Sequence, residues 1–100
     1  MDTGTATSID DTPPAAFLDA LEGWSPGYGE GVCDARRWGV TLTESSDRRR
    51  VWLYDEELGG AARVSFNLYR LAGGRVALRP CEMPAATVIA FVLGYRAESR

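Results

Sequence analysis

One hundred residues, 45% apolar and 25% charged, describe a single ordinary globular domain with enough surface to bury for one modest core. The chain has no histidine, which excludes Cys-His and Ser-His-Asp catalytic arrangements and any histidine-bearing zinc site within one chain. Its two cysteines, Cys33 and Cys81, are too few for a disulfide scaffold or a four-ligand zinc centre. The net charge of −3 is unevenly spread: residues 1–35 hold seven acids and no arginine (−7), whereas residues 36–100 hold eleven arginines against seven acids (+4).

Residues 1–11, rich in Thr, Ser, Asp and Gly, read as a flexible acidic tail. They lack a basic stretch followed by an apolar core, so no leader peptide is expected and the expected compartment is cytoplasmic. Thr12-Pro13 has the form of a helix start, with Thr as N-cap and Pro at the first helical position. A helix is expected to about Glu22, with Phe17, Leu18 and Leu21 as its apolar stripe and Gly23 as its stop. Residues 24–31, WSPGYGEG, read as an irregular loop because Pro26 and three glycines disfavour regular structure.

The middle of the chain alternates. Trp38, Val40 and Leu42 fall on one side of one run, Val64, Phe66 and Leu68 on one side of another, and Val76 and Leu78 on one side of a third. Successive strand side chains point to opposite faces, so each run is a half-buried strand. Residues 50–55 carry Val51 and Leu53 on one face and Trp52 and Tyr54 on the other, which suits a central strand or one with its second face covered. The links at 45–48, 56–60 and 72–74 are short, and short links favour antiparallel neighbours. After the tight loop 80–84, a second helix is expected over 85–93, ended by Gly94. It is apolar nearly all round and is expected to bury more than one face, or to meet another molecule. Residues 95–100 read as a charged tail. The expected fold is therefore α+β: a four-stranded antiparallel meander with two short helices packed mainly on one face, in one domain spanning 12–95.

Three groups of residues suggest chemistry and fail on their setting. Gly27-Tyr28-Gly29-Glu30-Gly31 resembles a phosphate loop only in composition; a phosphate loop needs a strand before it and a helix after it, and here the order is reversed. Asp55-Glu56-Glu57 offers three carboxylates for acid–base work or a hard cation, but neighbours on a strand diverge, and a solvated loop is the expectation. Cys81 has Arg79 nearby to stabilise a thiolate but no base; Cys33 and Cys81 read as small buried apolar residues. No catalytic, metal or cofactor motif emerges, and no apolar run approaches the ~18 residues of a membrane span.

The second face of the sheet is the candidate binding surface. Arg37, Arg50, Arg63, Asn67, Trp52, Tyr54 and Tyr69 fall on it, with Arg48 and Arg49 at a hairpin tip and Arg75 and Arg79 nearby. The function expected is binding and self-association as a homodimer rather than catalysis, through this face or the apolar second helix. The alternative is a nucleic-acid or anion binder, since arginine interleaved with aromatics suits stacking and phosphate contact. The acidic first third is expected to lie across the arginines and compensate them.

Overall fold

The computed structural model describes residues 12–98. Its elements are helix α1 (Ala15–Glu22), strands β1 (Gly27–Cys33), β2 (Arg36–Glu44), β3 (Arg50–Glu57), β4 (Arg63–Arg70) and β5 (Val76–Pro80), helix α2 (Ala85–Gly94) and a two-residue strand β6 (Arg96–Ala97). All strands pair antiparallel in one sheet of order β5-β4-β3-β2-β1-β6. The fold is α+β with two helices as expected, but the sheet has six strands, not four.

The two extra strands come from segments whose composition argued against them. β1 occupies most of the expected loop 24–31, and β6 lies within the expected charged tail. β1 is also a period-two run, with Gly27, Gly29, Gly31 and Cys33 facing the helices and Tyr28, Glu30 and Val32 facing away, paired residue for residue with β2. Its glycines leave room for rings supplied from elsewhere. Trp24, before the strand, and Tyr95, after α2, meet with ring centroids 4.8 Å apart. A Cβ on Gly31 would lie 2.5 Å from the Tyr95 ring. Glycine is thus required at Gly31 by the close approach of Tyr95, which supplies a ring where the strand has no side chain.

The predicted alternation holds through the centre. Trp38, Val40, Leu42, Val51, Leu53, Val64, Phe66, Leu68 and Leu78 are buried, with Val76 half-buried. Phe17 of α1 packs on Phe66 with ring centroids 5.7 Å apart, and Val88, Phe91 and Val92 of α2 complete the core. Fully burying side chains of this size stabilises by ~1.5–3 kcal/mol each.

Helix boundaries shift for reasons that lie in the prolines. α1 starts at Ala15 with Pro14 as an extended N-cap, not at Pro13 with Thr12 as the cap, because a residue that precedes proline is pushed out of the helical region and Thr12 and Pro13 both do so. Pro84 caps α2 in the same extended manner. α2 does not bury several faces: one side enters the core, while Ala86, Thr87, Ala90 and Leu93 are exposed, and of these only Leu93 is large. Asp34 and Ala35, both at positive φ (56° and 65°), make the two-residue turn from β1 to β2, where such backbone angles match the strand twist.

Candidate interaction face

The register sets the helix-free face of the sheet. Trp52 and Tyr54 are two residues apart on β3 and share that face. Thr43 and Thr41 stand opposite them on β2, and Asn67 and Ser65 on β4. Tyr28 of β1 continues the row beyond Thr41. All seven residues expected on this face, Arg37, Arg50, Trp52, Tyr54, Arg63, Asn67 and Tyr69, do lie on it, because each neighbours a buried residue in an alternating strand. No described element covers it: Tyr28 is 61% exposed, Trp52 46% and Tyr54 37%. Thr41, Thr43, Trp52 and Tyr54 line a shallow depression of about 350 Å³. The sequence allowed that β3 was central or had both faces covered; it is central, and its second face is open.

The arginines around these rings are already engaged. Arg37 donates to Glu30 at 2.9 Å and to both carboxylate oxygens of Glu98 at 3.0 and 3.1 Å. Hydrogen bonds from Arg37 to Glu98, and the charges of Glu98 and Glu30, raise its pKa further above its ordinary value. Arg63 donates to Glu56 at 3.2 Å and to the Tyr54 hydroxyl. Arg50 donates twice to the amide oxygen of Asn67, at 3.2 and 3.0 Å. Tyr28 leans over Gly39 and donates its hydroxyl to Glu30, and that hydrogen bond raises its phenol above the ordinary range. At the hairpin tip, Arg48 pairs with Glu44 at 3.3 Å, and Asp47 accepts from the Arg49 backbone N–H and the Ser45 hydroxyl, which lowers its pKa. Such exposed pairs contribute little to stability but fix the direction of long side chains.

The acidic first third meets arginines of the sheet body at two places among the described residues: Glu22 with Arg70 at 3.1 Å and Glu30 with Arg37. The remainder of that expectation, and the tail 1–11, lie outside the described residues.

The three adjacent carboxylates sit in a strand, which the expected loop would not have allowed. Asp55, Glu56 and Glu57 belong to β3 and not to a solvated loop, and they alternate: Glu56 faces out to Arg63, while Asp55 is fully buried on the helix side. Among the described residues, neither Asp55 carboxyl oxygen has a hydrogen-bond partner. Burial alone pushes its pKa up to about 8. Cys81 lies on the other side of the sheet, within 4.0 Å of the Asn67 amide nitrogen, so Asp55 and Cys81 do not converge on one site. Cys33 is buried, its thiol turned to the Phe91 carbonyl at 3.8 Å and its pKa raised chiefly by desolvation, the opposite of an activated nucleophile. Among the described residues no three His, Cys, Asp or Glu side chains gather into a metal-binding group, and no helix is long and apolar enough to cross a membrane.

No family model, curated protein or solved structure matches this chain. The residues that complete the face but went unread in the sequence are Tyr28, Glu30, Thr41, Thr43 and Glu98. Thr41 and Thr43 were legible in the alternation of β2. Tyr28 and Glu30 were hidden by the glycines around them, and Glu98 by its distance along the chain.

Proposed function

We propose that this chain is a non-catalytic binding domain that pairs with a second copy of itself through the open sheet face centred on Trp52 and Tyr54. The observation that carries this reading is the row of Tyr28, Thr41, Tyr54, Thr43 and Trp52, all but the half-buried Thr41 exposed, with no described element covering it, rimmed by Arg37, Arg63, Glu30, Glu56 and Glu98. Aromatic anchors inside a polar rim are the usual layout of a binding centre. The mixed rim favours a copy of the same surface: both signs are present, so a two-fold axis through the rings can set arginine against glutamate on each side. Size is adequate. The six strands hold 7, 9, 8, 8, 5 and 2 residues, which at ~3.3 Å by ~4.8 Å per residue give a face of roughly 600 Å² in projection, of the order of the ~800 Å² per partner of a specific complex.

The alternative, a nucleic-acid or anion binder, has the arginine-aromatic arrangement in its favour. Against it, Arg37, Arg50 and Arg63 are held by acceptors of the protein itself, and phosphate would have to displace them. Sedimentation from ~1 to 100 µM separates the two. Concentration-dependent dimerisation, lost in Trp52→Ala with an unchanged circular dichroism spectrum, is the expected result. A monomer at every concentration overturns the self-association reading. In that event, a tryptophan emission change on adding a single-stranded oligonucleotide in low salt decides for the alternative.

A further inference from the structure

We propose that the groove between α2 and the sheet is a binding site for a small organic cation, whose apolar body lies in the groove and whose ammonium reaches the carboxylate of Asp55. The groove opens on the helix side of the sheet, opposite the self-association face, and shares with that face only Arg63, at its mouth.

The groove holds about 530 Å³ and is walled by Cys33, Trp38, Ala62, Val64, Ala90 and Phe91. That volume and that apolar, aromatic lining suit a small ligand. The polar groups of the groove, Asp34, Arg36, Arg63 and Thr87, are joined by none from its buried wall; Asp55 is not itself a wall residue but is fully buried on the same side of the sheet, beside residues that are. In the register, Asp55 is the partner of Val64 on β4 and of Val40 on β2, with Trp38 next along that face of β2; Val64 and Trp38 both line the groove. A fully buried carboxyl without a single hydrogen bond is costly and calls for a function.

The surroundings select the ligand's charge. From β1 the titratable neighbour of Asp55 is the Cys33 thiol, and from beyond α2 it is the Tyr95 phenol. The adjoining positions on β2 and β4 are valines, and α2 has no charged residue. Among the described residues no cation faces this carboxyl. At the mouth, Asp34 is acidic, and the two arginines are occupied: Arg36 lies 3.7 Å from Glu57 and Arg63 lies 3.2 Å from Glu56. Trp38 and Phe91, edge to face with centroids 4.9 Å apart, supply the ring faces that attract an alkylammonium. The ligand parts these two rings to reach Asp55. The exchange balances simply: the neutral carboxylic acid releases its proton to solvent as the ammonium arrives, leaving carboxylate and ammonium paired.

That released proton provides a signature. With the carboxyl titrating at about 8 before binding, affinity for a cation rises about tenfold per pH unit from pH 6 to 7 and levels off above 8. The test uses 2-phenylethylamine, with 2-phenylethanol as the neutral isostere, followed by the NMR shift of the Trp38 indole N–H, which donates to the Cys33 carbonyl at 3.3 Å. Binding of the amine at least tenfold tighter than the alcohol, with that pH dependence and with selectivity lost in Asp55→Asn, supports the site. Equal binding of amine and alcohol, pH-independent binding of the amine, or no shift at ~1 mM amine overturns it. If Asp55→Asn does not fold, the pH dependence of the unmodified protein still decides.

Discussion

Asp55 carries its carboxyl into the core because it continues the inward series Val51, Leu53 along β3. Extending that alternation by one residue places it inside, so its position was legible in the sequence; its isolation was not, because that depends on which side chains α2 and Tyr95 bring to it. The consequence for stability has a definite sign. The folded pKa of about 8 lies above the ordinary value of 3.8, so the folded state holds the proton more tightly. The benefit is fully present below 3.8 and is lost as pH rises toward 8, at up to ~1.4 kcal/mol per unit. Denaturant titrations of the protein and of Asp55→Asn at pH 5, 6, 7 and 8 are expected to show the unmodified protein losing ground to the variant across this range. Ala35 gives a second test at this scale. Alanine at a φ of 65° is strained, and Ala35→Gly is expected to raise stability by ~0.5–1 kcal/mol in the same titration.

At the scale of elements, β1 is where sequence reasoning and structure part. Glycine and proline usually mark loops, and the segment holding Pro26, Gly27, Gly29 and Gly31 was read that way. The period of two in Gly-Tyr-Gly-Glu-Gly-Val-Cys was present all along, with glycine taking the inward positions. What the local sequence could not show is that Tyr95, in ring contact with Trp24, would close over Gly31. β6 was hidden for a related reason: two residues carry no period, and their pairing with Gly31 and Val32 is set by where α2 ends. By contrast, β2, β3 and β4 were readable because their alternation is long and their partners are adjacent in the chain. The two kinds of glycine in β1 can be told apart by substitution. Gly31→Ala drives a Cβ against Tyr95 and the Arg96 carbonyl, and is expected to destabilise by ~1–3 kcal/mol. Gly29→Ala meets nothing within 4 Å, and is expected to stabilise by ~0.5–1 kcal/mol through the chain entropy of the unfolded state. Thermal melts of the two variants should move in opposite directions.

For the whole molecule, the layout is one sheet with a closed side and an open side. The proposed pairing across the open side rests mainly on rings, with ion pairs at the rim, so it should tolerate salt. Raising salt from 50 to 500 mM is expected to change the dimer dissociation constant by no more than about threefold, whereas an oligonucleotide complex would weaken by orders of magnitude. Tryptophan emission gives an independent reading. Trp38 is buried and Trp24 half-buried, so Trp52 is the one whose surroundings change most on pairing. A blue shift with rising concentration, absent in Trp52→Ala, is expected. The proposed compensation of the arginines by the acidic first third is best tested with a chain beginning at Thr12, because removing residues 1–23 would also remove Phe17 and Leu21 from the core.

The clasp of Trp24 and Tyr95 over the glycine strand has one more consequence. The segment leading out of α1 and the segment leaving α2 meet ring to ring, and Tyr95 sits over Gly31, so the two share a single point of closure. Opening should begin there: backbone amides of β1 are expected to exchange with deuterium sooner than those of β3 and β4. Tyr95→Ala should quicken that exchange in β1 while leaving the central strands nearly as slow as before.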